Sequence, residues 1–190
     1  MANPSEVQIC NVGLIALGVN PILSLSDNSK AARECKAIYA DKRDELLRNH
    51  DWSFAVHRTV LAPDVAAPAF EYTYQFTQPA DSLRLVSVTD ALRNDLVYIL
   101  EGGKILCDYD TIYVRYVQQV TDPIKMDTSF RQTLSMVIAK ELAIPLTASP
   151  GKKAAMEEAY EVALASGKFA GSSESYPVEL ITDDWINSRV

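Results

Sequence analysis

The stretch ARECKAIYADKRDELLRNHDWSFA, residues 32–55, decides the fold because its hydrophobic period changes partway along. Ala32, Cys35, Ile38, Tyr39, Lys42 and Leu46 recur at helical spacing, and the methylene stem of Lys42 can lie along apolar surface. Asp27 is a suitable cap ahead of this run, which extends to about Asn49, and Lys30 and Glu34 sit one turn apart on its outer face. At about 1.5 Å per residue the helix exceeds about 30 Å, the length of a strut rather than a connector. From Trp52 onward the helical period gives way to alternation with period two, so a strand-rich segment follows directly.

Toward the N-terminus a shorter helix is expected. Asn3 can cap it, Pro4 suits its first position and Glu6 can complete a capping box. Val7, Cys10, Leu14 and Leu17 share one face, Gly18 stops the helix, and Asn20-Pro21 turns the chain.

Toward the C-terminus, Phe70, Tyr72, Tyr74 and Phe76 alternate as one half-buried strand, which Pro79-Ala80-Asp81 breaks. Leu83, Leu85 and Val86 to Val88 resume extended structure. Leu96 to Leu100 and Lys104 to Cys107 flank Gly102-Gly103, a two-residue hairpin signal. Ile112, Val114 and Tyr116 mark one face of a further strand. After Thr121-Asp122-Pro123, Asp127 can cap a third helix carrying Phe130, Leu134, Val137, Ile138, Glu141 and Leu142, which Pro145 ends or kinks. Ser149-Pro150 opens a fourth, with Met156, Tyr160, Ala163 and Leu164 inward, whose regularity ends at Gly167 and Gly171.

The expected architecture is therefore α+β. A bundle of about four helices of antiparallel type (residues 3–50 and 127–170) carries an inserted β-rich lobe (52–122) and an extended C-terminal arm (171–190), all in one structural unit.

The 190 residues carry 25 Asp and Glu against 18 Lys and Arg, a formal charge of −7. Such a chain is repelled by phosphate backbones, which argues against tight sequence-independent nucleic-acid binding, though not against DNA passing an acidic wall. The opening residues lack the basic patch and apolar run of a secretory signal, and no stretch approaches the roughly 20 apolar residues that span a bilayer. Cys10, Cys35 and Cys107 are odd in number, scattered and without a C-x-x-C pair, which argues against a zinc site or a disulfide framework and fits folding in a reducing cytoplasm.

No chemical centre emerges from the residues. His50 and His57 flank Trp52, and pairing either with Asp51 would leave them without a nucleophile motif. Gly102-Gly103 lacks the pattern of a phosphate cradle, and Asp183-Asp184 lacks metal-ligand spacing. No catalytic residue, cofactor or metal is expected. The nine tyrosines and two tryptophans point instead to interfaces, where amphipathic rings are favoured. Trp185, in a polar tail, has two readings: it folds back on the bundle, or it inserts into a neighbouring subunit or partner.

Several patterns taken in order resemble one family. They are CNVGLIALG followed by ILSLSD, the long helix ending in W-x-F-A, YTYQFTQPADSLRLV, IYVRYV, FRQTLSMVIAKELAIPLTAS and the closing DDWINSR. Together, from about Val7 to Arg189, they are similar to the head-to-tail adaptor of short-tailed bacteriophages, often called tail tubular protein A. The resemblance implies a dodecameric ring in the neck of the virion tail, assembled in the bacterial host cytoplasm; before assembly the copies are either monomeric or already associated, and the residues leave both open. The helical part would contact the portal, and the β part would reach toward the tail nozzle and the fibres or spikes. DNA would pass through the ring in transit, without specific binding. Within that reading Tyr176, Leu180, Ile181, Trp185 and Ile186 are candidate portal or subunit contacts. Trp52 and Phe54 are candidates for packing at the helix–strand junction, and Asp41, Glu45, Glu157, Glu158 and Glu161 for an acidic channel-facing surface. Rival readings are a tail-associated glycan hydrolase, which needs two facing carboxylates, and a monomeric tail-completion plug.

Overall fold

The computed structural model describes residues 4–173. The fold is α+β. Helices α1 (Glu6–Ala16) and α2 (Lys30–Arg48) lead through a short 3₁₀ turn (Ser53–Ala55) into strands β1 (Val56–Leu61), β2 (Tyr74–Thr77), β3 (Ser82–Thr89), β4 (Ile99–Glu101), β5 (Lys104–Cys107) and β6 (Ile112–Gln118), after which α3 (Thr128–Thr147) and α4 (Pro150–Ser173) return.

Helix α3 is the axis of the bundle and packs against each of the other three. That is why Thr133 to Ala139 are buried without a break: a helix covered on several sides loses the one-sided stripe of a surface helix. Phe130, Leu134, Ile138 and Leu142 are essentially out of water, each contributing about 1.5–3 kcal/mol relative to exposure. Gly13 sets the closest approach, since a Cβ there would lie 2.7 Å from the Ser135 carbonyl oxygen. Residue pairing fixes the directions. Pro4 and Gln8 lie by Thr128 and Gln132 while Gly13 meets Ala139, so α1 runs parallel to α3. Lys30 donates to the Pro145 carbonyl while Lys42 reaches Glu141, so α2 runs antiparallel to it. Gly167 packs beside Ser129, which makes α4 antiparallel to α3 as well.

The lobe holds two three-stranded antiparallel sheets, ordered β1-β6-β3 and β2-β5-β4. Phe76, Ile105 and Cys107 from one meet Val88, Ile112, Val114 and Tyr116 from the other, a core separate from that of the bundle. Gly102 (φ 56°) and Gly103 (φ 79°) close the β4–β5 hairpin with Glu101 opposite Lys104, the double positive φ that a two-residue turn of matching twist requires.

Several local expectations are corrected. Ser5, not Asn3, caps α1, with its hydroxyl accepting from the Gln8 N–H, so Pro4 lies ahead of the helix; Asn3 falls outside the described residues. Ser29, not Asp27, caps α2, because the Asp27 carboxylate turns back to accept from the Leu23 and Ser24 N–H groups. The strand expected from Phe70 begins only at Tyr74: Glu71 sits at φ 73° and breaks extended structure, leaving Phe70 exposed. Pro145 does not end α3, which runs two residues further to a left-handed Ala148. Gly167 and Gly171 do not end α4, which continues to Ser173, so the arm read over residues 171–190 loses its first three residues to the helix.

Candidate interaction surfaces

The junction of bundle and lobe is built around Trp52. Its indole N–H donates to the Leu46 carbonyl at 3.0 Å, satisfying one of the acceptors left open at the end of α2. Its ring stands edge-on to Phe130 (centroids 5.1 Å apart) and near Phe54 (6.4 Å), and Phe54 in turn packs edge-on to Phe130 (5.1 Å). Gly167 gives the indole its space, since a Cβ there would lie 3.0 and 3.2 Å from two ring carbons. Trp52 and Phe54 thus sit where α2, α3, α4 and the start of β1 converge.

A polar latch runs beside this aromatic cluster, and P-A-D-x-L-R supplies it. Asp81 accepts from the Tyr116 hydroxyl (3.1 Å) and from the Gln118 amide (2.6 Å), and its own carbonyl accepts from the Gln119 N–H (2.7 Å). Arg84 ion-pairs with Asp51 and donates to the Arg48 carbonyl at 2.9 Å, while Arg48 donates to the Leu83 carbonyl. Gln119 reaches Asp44 (2.6 Å), which is also paired with Arg43 (2.8 Å). The end of α2 is therefore stitched to β3 and to the end of β6. The hydrogen bond from Gln118, followed by that from Tyr116, holds the Asp81 carboxyl below its ordinary range.

The two histidines take structural places. His50 stands edge-on to Trp52 at 5.1 Å, and burial, with Lys168 nearby, lowers its basicity. His57 stands edge-on to Tyr116 at 5.7 Å. Asp51, the partner a catalytic pairing would need, is held by Arg84. The structure also brings Cys10 and Cys35 together across α1 and α2, which their separation in sequence concealed; a hydrogen bond between the thiols, with burial, raises the Cys10 value. All three cysteines are free and buried. Among the described residues no group of three His, Cys, Asp or Glu side chains is placed to hold a metal ion, and no helix is long and apolar enough to cross a membrane.

The acidic candidates fall on two helices. Asp41 and Glu45 are exposed on α2, and Glu157, Glu158 and Glu161 on α4. Glu45 is paired with Lys42 (2.9 Å), which also contacts Glu141 (3.5 Å), so one cation is shared between two carboxylates there. Glu45, Lys140 and Tyr160 border one groove over α3, with Lys140 lying 4.7 Å from the Tyr160 ring centroid; burial first, then the charges of Glu161 and Glu45, raises the Tyr160 hydroxyl. The aromatic arm candidates Tyr176, Leu180, Ile181, Trp185 and Ile186 lie outside the described residues.

A surface that sequence reasoning missed is the apolar exterior of the lobe. Val65, Phe70, Leu92, Val97, Ile99 and Leu100 are exposed there, and Val65, Phe70, Leu92 and Val97 retain about four-fifths or more of their full accessibility. β4, which carries Ile99 and Leu100, is an edge strand. Its signal was available in the run Leu96 to Leu100, which is apolar without alternation and therefore cannot bury both faces in a two-layer lobe.

No known protein-family model matches this chain, and no curated protein matches it.

Proposed function

We propose that this protein is a structural virion subunit: an adaptor of the head-to-tail type that packs side by side with identical copies into a ring between portal and tail nozzle, around the path of DNA. The observation that carries the reading is the apolar exterior of a β lobe that hydrogen bonds and an ion pair join to a helical bundle. Side chains such as Phe70, Leu92 and Val97 are held out in water on a lobe with a complete core of its own, and a neighbour packed over them would remove that apolar area from water. Arg84, through Asp51 and the Arg48 carbonyl, and Gln119, through Asp44, join the lobe to the end of α2, so that load on one body is passed to the other. Two unlike surfaces on one chain are what a connector between unlike neighbours needs.

The test is to mix the purified chain with its cognate portal ring and image the product by electron microscopy. A closed ring of copies seated coaxially on the portal is the expected result. A chain that stays monomeric and leaves the portal bare, or that cleaves a capsular polysaccharide through a pair of its carboxylates, would overturn the reading.

A further inference from the structure

The outer face of the β1-β6-β3 sheet carries positive charge that the described chain does not neutralise. Register places Arg58 directly opposite Arg115, with Ser87 on the other side of Arg115; farther from the bundle, Val60 faces Tyr113, which faces Thr89. Arg93, at φ 70° in the turn after β3, completes the rim of a groove of about 690 Å³. All three arginines are exposed, and none forms an ion pair with another described residue, whereas Arg43 and Arg84 do. Asp90, in the groove wall, is taken up by its own turn, accepting from the Leu92 and Asn94 N–H groups and the Asn94 side-chain amide. Like charges directly opposite on neighbouring strands destabilise a sheet. The same pair presents two guanidinium forks that match carboxylates.

The complementary surface is on α4. Glu157, Glu158 and Glu161 fall on one side of that helix, exposed and without ion pairs among the described residues, and Val162 beside them is 66% exposed. Tyr160, Leu164 and Gly167, on the adjoining face of the helix, pack inward. The two charged surfaces of one copy are held apart. Lys168 marks the end of α4 that meets the junction, where it and Arg84 both act on His50, and Glu157 lies eleven residues earlier, about 16 Å along the axis.

Building on the ring reading above, we propose that the arginine groove of one copy receives the acidic α4 face of the next. Arg58, Arg93 and Arg115 engage Glu157, Glu158 and Glu161, and Val60 and Tyr113 cover Val162 inside that charged rim. A contact between unlike patches repeats from copy to copy and closes when the rotation permits, which is how a ring forms.

The experiment uses the full chain in three charge-reversed forms, each checked for wild-type helicity and melting. One carries Arg58→Glu, Arg93→Glu and Arg115→Glu; the second carries Glu157→Lys, Glu158→Lys and Glu161→Lys; the third carries all six. Ring formation on the portal is counted by electron microscopy, and self-association is followed by sedimentation across a salt series. The first two forms should each need about ten-fold more protein, or more, to assemble, because every contact becomes like-charged. Mixing them one to one should restore rings of alternating copies, and the six-fold variant should assemble alone. Wild-type rings that give way to equally good rings of either triple variant, or triple variants whose mixture stays unassembled, would overturn this contact while leaving the adaptor role standing. Wild-type copies that never gather on the portal would overturn the adaptor role and this contact with it.

Discussion

Replacing Trp52 by Phe and Gly167 by Ala, singly and together, measures the fit at the centre of the junction. Trp52→Phe removes the N–H that satisfies the Leu46 carbonyl, a loss of about 1 kcal/mol, or up to about 3 if that acceptor stays dry. It also removes part of a ring that is 97% buried, adding about 1 kcal/mol of lost burial and a small void. Gly167→Ala alone has two opposed effects. Helix propensity favours Ala by about 1 kcal/mol, but the new methyl would lie 3.0 and 3.2 Å from indole carbons Cη2 and Cζ3, and overpacking costs about 1–3 kcal/mol. The single variant should therefore be neutral to about 2 kcal/mol less stable. Cη2 and Cζ3 belong to the benzo ring, part of which Phe cannot fill. In the Trp52→Phe background the methyl then enters free space and Gly167→Ala becomes stabilising, giving a coupling of about 1–3 kcal/mol. Urea unfolding followed by circular dichroism on all four proteins closes the cycle. Effects that add within about 0.5 kcal/mol would refute the reasoning, because they would mean that the two positions do not share the space.

Asp81→Asn should loosen the latch, costing about 1 kcal/mol at neutral pH by facing an amide toward the Gln118 amide. Because the folded carboxyl is held below its ordinary value, its stabilisation is present above about pH 4 and lost as pH falls through the lower folded value; acid unfolding profiles of the Asn variant should lack that part of the slope. Gly103→Ala should destabilise the lobe by about 1 kcal/mol, since φ 79° is strained for any Cβ, while Gly102→Asn at φ 56° should be nearly neutral; urea midpoints of the two separate them. Gly13→Ala, whose methyl meets the Ser135 carbonyl, should cost about 1–3 kcal/mol despite better helix propensity, and a raised melting temperature would show that α1 and α3 can part at little cost.

Much of the architecture was legible because it rests on local chemistry. The helical period of residues 30–48, the Asp127 cap and the glycine pair at 102–103 each act over a few residues, and each appears where the pattern places it. Errors arose where two residues competed for one local role. Ser29 captured the cap of α2 because Asp27 is used in the preceding turn, and Ser5 stands closer to α1 than Asn3 does. Gly167 read as a stop because nothing in the sequence reveals Trp52 lying against it; the helix continues because tertiary packing outweighs a propensity penalty of about 1 kcal/mol. The residues P-A-D-x-L-R stand together within YTYQFTQPADSLRLV, but their work as a latch depends on Tyr116 and Gln118, more than thirty positions from Asp81, and on Asp51, more than thirty from Arg84.

By itself the sequence determined the order and kind of elements, the separation of helical from strand-rich segments, and the acidic balance, because periodicity, turn chemistry and charge are properties of the covalent chain. Only the tertiary structure decided that the strands divide into two facing sheets, that Arg58 and Arg115 stand side by side without a carboxylate, and that Phe70, Leu92 and Val97 remain in water. Those facts depend on register and on what covers each face. Both are set by contacts between residues far apart along the chain, where a shift of a single position would exchange the inside for the outside.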